Sequence, residues 1–177
     1  MDTPTLSTSL LKDHAAFIAL VRSLPKDRQA LSINGKWTAV QHLDHIRLAV
    51  SPVSNALLLP KWFLRWRFGT PNRPPRTYEA LVQRYREKLA AGGRASGRFI
   101  PPQLPAARVE TLSKTLRRTV QKLVERMDLW EEQDLDNVLL PHPLLGKLTV
   151  REMLFFTLHH VQHHQALVER DHTHNSG

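Results

Sequence analysis

The stretch of sequence that decides the fold is residues 149–170, TVREMLFFTLHHVQHHQALVER. Thr149 and Glu152 match a capping box, in which each side chain satisfies a backbone N–H of the other residue. The apolar residues that follow recur with the helical period, and no proline or glycine interrupts them. The pattern therefore predicts a helix from Thr149 to about Arg170, and two pairs of adjacent histidines lie inside it.

Other parts of the chain carry the same helical periodicity between proline and glycine breaks. The second main helix opens with another capping box, Thr38 with Gln41, and Pro52 and Pro60 are expected to kink or break it. No alternating strand pattern is present, so the sequence predicts an all-α fold, a four-helix bundle. The main helices are predicted at 7–24, 38–50, 107–130 and 149–170, with a shorter helix at 77–90.

The chain has 177 residues, which favours a single domain over 1–177. About 61–106 is predicted to be an insertion between the second and third main helices. A loop is expected at 140–147, where two prolines and a glycine occur. Residues 172–177 are expected to form a disordered tail.

Bulk composition excludes several classes of protein. The chain has no cysteine, which excludes disulfides, thiolate metal sites and a cysteine nucleophile. No signal peptide and no membrane-spanning run is apparent, so a cytoplasmic location is expected. The net charge of +9 is spread along the chain, which favours a solvated basic surface that attracts anionic substrates over nucleic-acid or membrane binding.

Two histidine pairs in the last helix have the spacing of metal ligands. Residues four apart lie on one helical face, so His159 with His163, or His160 with His164, can converge on one ion. The second pair shares its face with apolar residues, whereas the first falls on a mixed face that ends in charge. Periodicity therefore favours His160 and His164 as the inward pair. His159 and His163 then support the ligands or lie on the surface.

The second helix offers a third ligand. His42 and His45 are three residues apart, and either can point inward; Asp44 is an orienting carboxylate or an ordinary surface acid. With His45, the site would have three neutral nitrogen ligands and an open fourth position, as catalytic metal sites do. The alternative is a set of polar histidines on a helix surface, but buried imidazoles without a partner are costly and a metal would explain them.

Two segments resemble a known family. Trp37 to His45, WTAVQHLDH, is similar to the W-[ST]-x-x-x-x-x-x-H segment of the DinB/YfiT-like superfamily of metal-dependent enzymes. HPLLGKLT at 142–149, followed by His160 and His164, is similar to the family's HPxxGxLT and HxxxH segments. One departure is Leu167, where many relatives carry glutamine.

The resemblance implies a four-helix bundle with a three-histidine metal site whose ligands are His45, His160 and His164. It implies zinc or nickel as the metal, and a homodimer. It also implies hydrolase or thiol S-transferase activity on a small molecule, with a low-molecular-weight thiol as a possible partner. The competing interpretation is a non-catalytic metal-binding bundle with a stress-response or binding role.

The basic aromatic segment 61–76, KWFLRWRFGTPNRPPR, has several possible roles. Interleaved aromatic and basic residues can bind single-stranded nucleic acid or an anionic membrane. Alternatively, Trp62, Phe63 and Trp66 pack onto the bundle while Arg65 and Arg67 are solvated. The segment could also be a wall or lid of the metal pocket, or part of a dimer contact. Packing or a pocket wall is the favoured interpretation. Nucleic acid is an unlikely partner, and no membrane partner is expected.

Overall fold

The computed structural model describes residues 1–173. It contains eight α-helices and one two-stranded antiparallel sheet within the described residues, together with short 3-10 turns at Gly97–Phe99 and Ala106–Arg108 and a π turn at Glu169–Thr173. The elements are α1 (Thr3–Ser23), α2 (Lys26–Gln29), α3 (Ala39–Ala56), α4 (Lys61–Phe68), α5 (Tyr78–Ala90), α6 (Val109–Met127), α7 (Glu132–Asn137), β1 (Leu139–His142), β2 (Gly146–Thr149) and α8 (Val150–Val168).

The four long helices form the bundle that the sequence predicts. Helices α1 and α3 each pack against both α6 and α8, so the order around the bundle is α1, α6, α3, α8. Their inner faces supply a continuous apolar core, which stabilises the bundle by removing this surface from water. The all-α prediction is confirmed, and α4 and α5 lie between the second and third main helices.

Two helix boundaries differ from the predictions. Helix α1 begins at Thr3 rather than at residue 7, because the Asp2 side chain accepts the backbone N–H of Thr5 at 2.9 Å. Helix α3 begins at its capping box as expected but continues through Pro52. Of the two effects predicted for Pro52, a kink or a break, the break is wrong. The turn after Pro52 is held from outside, because Arg126 of α6 donates to the carbonyl oxygen of Ser54 at 2.7 Å.

The predicted loop at 140–147 is largely a hairpin. Strands β1 and β2 pair from Leu139 with Thr149 to His142 with Gly146. The His142 Nδ1 accepts the backbone N–H groups of Leu144 and Leu145, at 3.1 and 3.0 Å. Gly146 has a φ of +78°, a conformation that other residues rarely adopt. Strands this short, with a proline in one, show no alternation in the sequence.

The start of α8 fixes part of the segment between α4 and α5. The Glu152 carboxylate completes the Thr149 capping box and also accepts two hydrogen bonds from the Arg73 guanidinium, at 2.7 and 2.8 Å. It further accepts the backbone N–H of Arg76. Burial alone would raise the pKa of Glu152, but these hydrogen bonds lower it below its usual value. The carboxylate therefore stays charged and ties 73–76 to the bundle.

The end of the chain differs slightly from the prediction. Helix α8 passes directly into the π turn Glu169–Thr173, so the predicted tail at 172–177 begins inside this turn. Residues 174–177 lie outside the described residues. Within the described part of the chain, no helix has both the length and the apolar character needed to cross a membrane.

Candidate metal centre

Three imidazoles from two helices meet in the interior of the bundle. His45 comes from α3, and His160 and His164 come from successive turns of α8. Their side chains are nearly inaccessible, with residue exposures of 5%, 6% and 5%. The His160 Nε2 lies 3.1 Å from the Nε2 of His45 and 3.1 Å from that of His164. The prediction that His160 and His164 are the inward pair is confirmed.

Hydrogen bonds behind the rings orient two of them. The His45 Nδ1–H donates to the carbonyl oxygen of Phe99 at 2.7 Å, because a carbonyl can only accept. This bond leaves the lone pair of neutral His45 on Nε2, which faces the other imidazoles. The Nδ1 atoms of His164 and His42 are 2.7 Å apart. When His164 presents its Nε2 lone pair to the cluster, its Nδ1–H donates to His42.

The environment keeps the imidazoles neutral. Burial lowers the pKa of His160 and His164 well below the usual value, and the neighbouring imidazoles lower it further. Burial also lowers the pKa of His45, although the hydrogen bond to Phe99 opposes the shift. Neutral imidazole is the form that binds metal.

The donor set fits a divalent metal ion. Bonds of about 2.0–2.1 Å in a tetrahedral site place two ligand nitrogens about 3.3 Å apart, close to the separations found here. The ligand atoms of all three residues lie within 4.8 Å of one another. A single N–H on His160 Nε2 can point at only one of its two neighbours, so hydrogen bonding alone does not satisfy the cluster. A shared cation does.

The two other histidines of α8, His159 and His163, lie outside the three-histidine cluster. His159 lies half-buried beside the rings of Tyr78 and Tyr85, outside the cluster. His163 is half-buried against Tyr85 and His164.

Asp44 is buried and is therefore not a surface acid, and its carboxylate accepts a hydrogen bond from Arg47 at 2.7 Å. The groups that do contact ligand nitrogens, His42 and the Phe99 carbonyl, come from different parts of the chain. The sequence leaves open whether His42 points inward, supports a ligand or lies on the surface, and nothing in it marks the Phe99 carbonyl.

A cavity of about 920 Å³ opens beside the three histidines. This volume is in the range of small-molecule sites. Trp37 lines it with its ring 4.9 Å from that of His45. Tyr85 lines it from α5, with its ring edge-on to His160, and burial raises the pKa of Tyr85 to about 12. Tyr85 was not predicted as a site residue, because it does not belong to a recognisable sequence motif.

Within the basic aromatic segment, one side of α4 faces the cavity and the other is exposed. Leu64 and Phe68 of α4 line the cavity, as a pocket wall would. Trp62 and Trp66 are 69% and 75% exposed, so the prediction that they pack onto the bundle is wrong. Arg65 is not simply solvated, because it donates to Asp134 at 2.6 Å.

Comparison with protein-family models identifies a family. The model of the DinB superfamily matches residues 9–168 of the chain, which include all three clustered histidines. No curated protein and no solved structure matches the chain.

Proposed function

The chain belongs to the DinB superfamily, and from that premise we propose that it is a metal-dependent enzyme acting on a small molecule. His45, His160 and His164 hold the ion, and zinc or nickel suits three imidazoles. When bound, the ion acts as a Lewis acid and lowers the pKa of a water or thiol at its open position. The reaction is hydrolysis or transfer of a low-molecular-weight thiol.

The observation that carries this proposal is the convergence of three buried Nε2 atoms at the wall of a large cavity. Protein residues supply three ligands, all neutral, and the cavity gives a small molecule access to the remaining side of the ion. A closed structural site would have four protein ligands. Among the described residues, no carboxylate joins the cluster.

The surrounding residues have separate tasks in this proposal. The Phe99 carbonyl and His42 keep the lone pairs of His45 and His164 directed at the ion. Trp37 and Phe156 limit the access of water, because their rings pack against the imidazoles. Tyr85, protonated at neutral pH, offers a phenol to a substrate in the cavity.

The test compares metal content with activity. Protein stripped with a chelator would be reloaded with zinc or nickel and assayed by elemental analysis. Activity would be followed with p-nitrophenyl acetate for hydrolysis, and with cysteine plus monochlorobimane for thiol transfer. We expect one ion per chain and activity that returns with it. His160→Gln should lose both, whereas His159→Gln, on the same helix but outside the cluster, should keep both.

Stoichiometric metal in the His160→Gln protein would overturn the ligand assignment. Activity that is independent of added metal would overturn the mechanism. Full metal binding without turnover of either probe would favour the non-catalytic bundle instead. The homodimer implied by the family stays a prediction, which light scattering would test.

A further inference from the structure

The charged residues that line the cavity are unbalanced. Among the described residues, four cationic side chains line it but only one carboxylate, that of Asp171. The Asp171 carboxylate is already occupied, because it accepts from Lys36 at 3.0 Å and from Arg170 at 2.7 Å. Lysine and arginine side chains in the lining therefore outnumber carboxylates. The remaining two cations are Arg94 and Arg98.

Arg94 and Arg98 have no acidic partner of their own. Neither forms an ion pair with a carboxylate in the described part of the chain, and both are exposed. The Arg98 guanidinium only stacks over the ring of Phe99, 5.1 Å from its centre. Guanidinium groups bind carboxylates, sulfonates and phosphates through paired N–H donors. Two that line a cavity without a carboxylate partner are suited to an anionic ligand.

The segment that carries these arginines is fixed at both ends. At one end, Gly93 lies so close to the hairpin that an added Cβ would be 2.7 Å from Leu144 and 2.6 Å from the carbonyl oxygen of Lys88. At the other, the Phe99 carbonyl accepts the hydrogen bond from His45. The backbone bearing Arg94 and Arg98 is therefore anchored between the hairpin and His45 of the three-histidine cluster.

The cavity changes character along the bundle. Helices α3 and α8 run antiparallel, because His42 pairs with His164 and His45 pairs with His160. Beyond the histidines, α3 lines the cavity as far as Ala56, a distance from His45 of about 16 Å at about 1.5 Å per residue. Most of the lining in that direction is apolar, although Asn55 also belongs to it. The apolar residues there include Val53, Leu64, Phe68, Leu140 and Met153. Arg98 lies at the histidine end, next to Phe99, whose carbonyl accepts the hydrogen bond from His45. Arg94 lies nearer the hairpin, next to Gly93.

We propose that the ligand of this cavity is an amphiphilic anion, whose acidic group binds Arg94 and Arg98 and whose apolar body lies along the second half of α3. This inference rests on the proposed function for the identity of the site, and it adds the class of substrate. Because the Phe99 carbonyl, next to Arg98, is hydrogen-bonded to His45, the Arg98 end of the anion site is near the three histidines. A cationic or uniformly polar molecule does not match the lining.

The probes for the test are decanoate and decyltrimethylammonium, which have the same alkyl chain and opposite head-group charge. Binding would be measured by isothermal titration calorimetry, below the micelle-forming concentration of each. We expect decanoate to bind and decyltrimethylammonium to bind at least about tenfold more weakly. Equal affinities would overturn the proposal.

Matched double variants locate the anion site. Arg94→Gln with Arg98→Gln should weaken decanoate binding about tenfold, since two charge-assisted contacts are lost. Arg117→Gln with Arg118→Gln is the control, because it removes the same charge from exposed positions on α6 outside the cavity. A loss of affinity equal in both variants, or absent from the first, would overturn the proposal.

Titrations of metal-free and zinc-loaded protein separate this inference from the proposed function. Decanoate could bind only to zinc-loaded protein, with an affinity that the Arg94 and Arg98 substitutions do not change. That result would mean that the carboxylate binds the metal, and it would overturn the arginine site but not the metal site. If zinc fails to bind and decanoate affinity still follows the two arginines, the amphiphile site stands and the metal-dependent function fails.

Discussion

Helices α6 and α8 contain 19 residues each and pack against the same two neighbours, α1 and α3, yet they bury different chemistry. The inner face of α6 is almost wholly apolar, with Ser113 as its one buried polar residue. The inner face of α8 includes Glu152, Thr157, His160 and His164. One helix is thus a structural member of the bundle, and the other carries its site.

The difference teaches where a buried polar group obtains its partners. Thr157 donates within α8, to the carbonyl oxygen of Met153. The charged and imidazole groups also have partners outside the helix: Arg73 and Arg76 for Glu152, and His42 and His45 for the two histidines. The buried face of α6 is apolar apart from Ser113, and it packs mainly against α1 and α3. The interface between α3 and α8 therefore borders a cavity, whereas the interface between α3 and α6 is a packed apolar core.

The largest effect on stability is expected on α6. Leu116 is fully buried there, and Leu116→Ala should lower the free energy of unfolding by about 2–5 kcal/mol through lost burial and a residual cavity. Metal content at saturating zinc should not change, because Leu116 does not line the site. Urea unfolding and elemental analysis would measure both quantities. Loss of metal in a folded Leu116→Ala variant would contradict the claim that α6 is structural and that α8 carries the site.

Two glutamates in the first turns of α6 and α8 sharpen the comparison. Glu152 is buried and held by two arginines, so Glu152→Ala should cost about 2–3 kcal/mol of unfolding free energy, because Arg73 loses its partner. Glu110 is exposed and pairs with Arg22 and Lys114, so Glu110→Ala should cost less than about 1 kcal/mol. Similar values for the two variants, measured by urea unfolding, would contradict the account.

Low pH should destabilise the fold, because His14 is buried in its neutral form. Burial lowers the pKa of His14 to about 4 in the folded chain, whereas the unfolded chain protonates it near 6.5. The unfolded state takes up the proton first, so stability falls as pH falls from about 6.5 to about 4 and this contribution is constant below that range. The loss for this residue is on the order of 3 kcal/mol.

Replacing His14 tests that contribution. His14→Leu should flatten the pH dependence of unfolding between about pH 6.5 and 4, since one titrating group is gone. Urea unfolding at several pH values would show the change in slope. An unchanged slope would mean that His14 is not buried neutral.

The smallest effect is expected at His42, which touches the site without being part of the cluster. His42→Phe keeps an aromatic ring but removes the nitrogen paired with His164, and should weaken zinc binding about tenfold. Competition with a chromophoric chelator would measure the affinity. His159→Phe serves as the control on α8, and equal losses in both variants would contradict an orienting role for His42.

Local signals predicted the framework well. The capping boxes predicted at Thr38 and Thr149 are where α3 and α8 begin. Helical periodicity correctly predicted His160 and His164 as the inward pair. These features depend on residues within one or two turns of each other, so the sequence displays them directly.

Contacts between distant segments were not predictable in the same way. The Phe99 carbonyl reaches His45 only because Gly93 and the hairpin hold its segment there, and a backbone group has no sequence signature. Helix α3 continues past Pro52 because Arg126 of another helix binds its last turn. Trp62 and Trp66 are exposed although apolar, since Leu64 occupies the inner face of the short helix α4.

The central claim is that His45, His160 and His164 hold one metal ion with an open side toward the cavity. Crystals of zinc-loaded protein, measured on both sides of the zinc absorption edge, test it most directly. The account predicts one anomalous peak about 2.0–2.1 Å from the Nε2 atoms of all three residues. A peak on His159 and His163, or none at the three-histidine cluster in fully loaded protein, would contradict it.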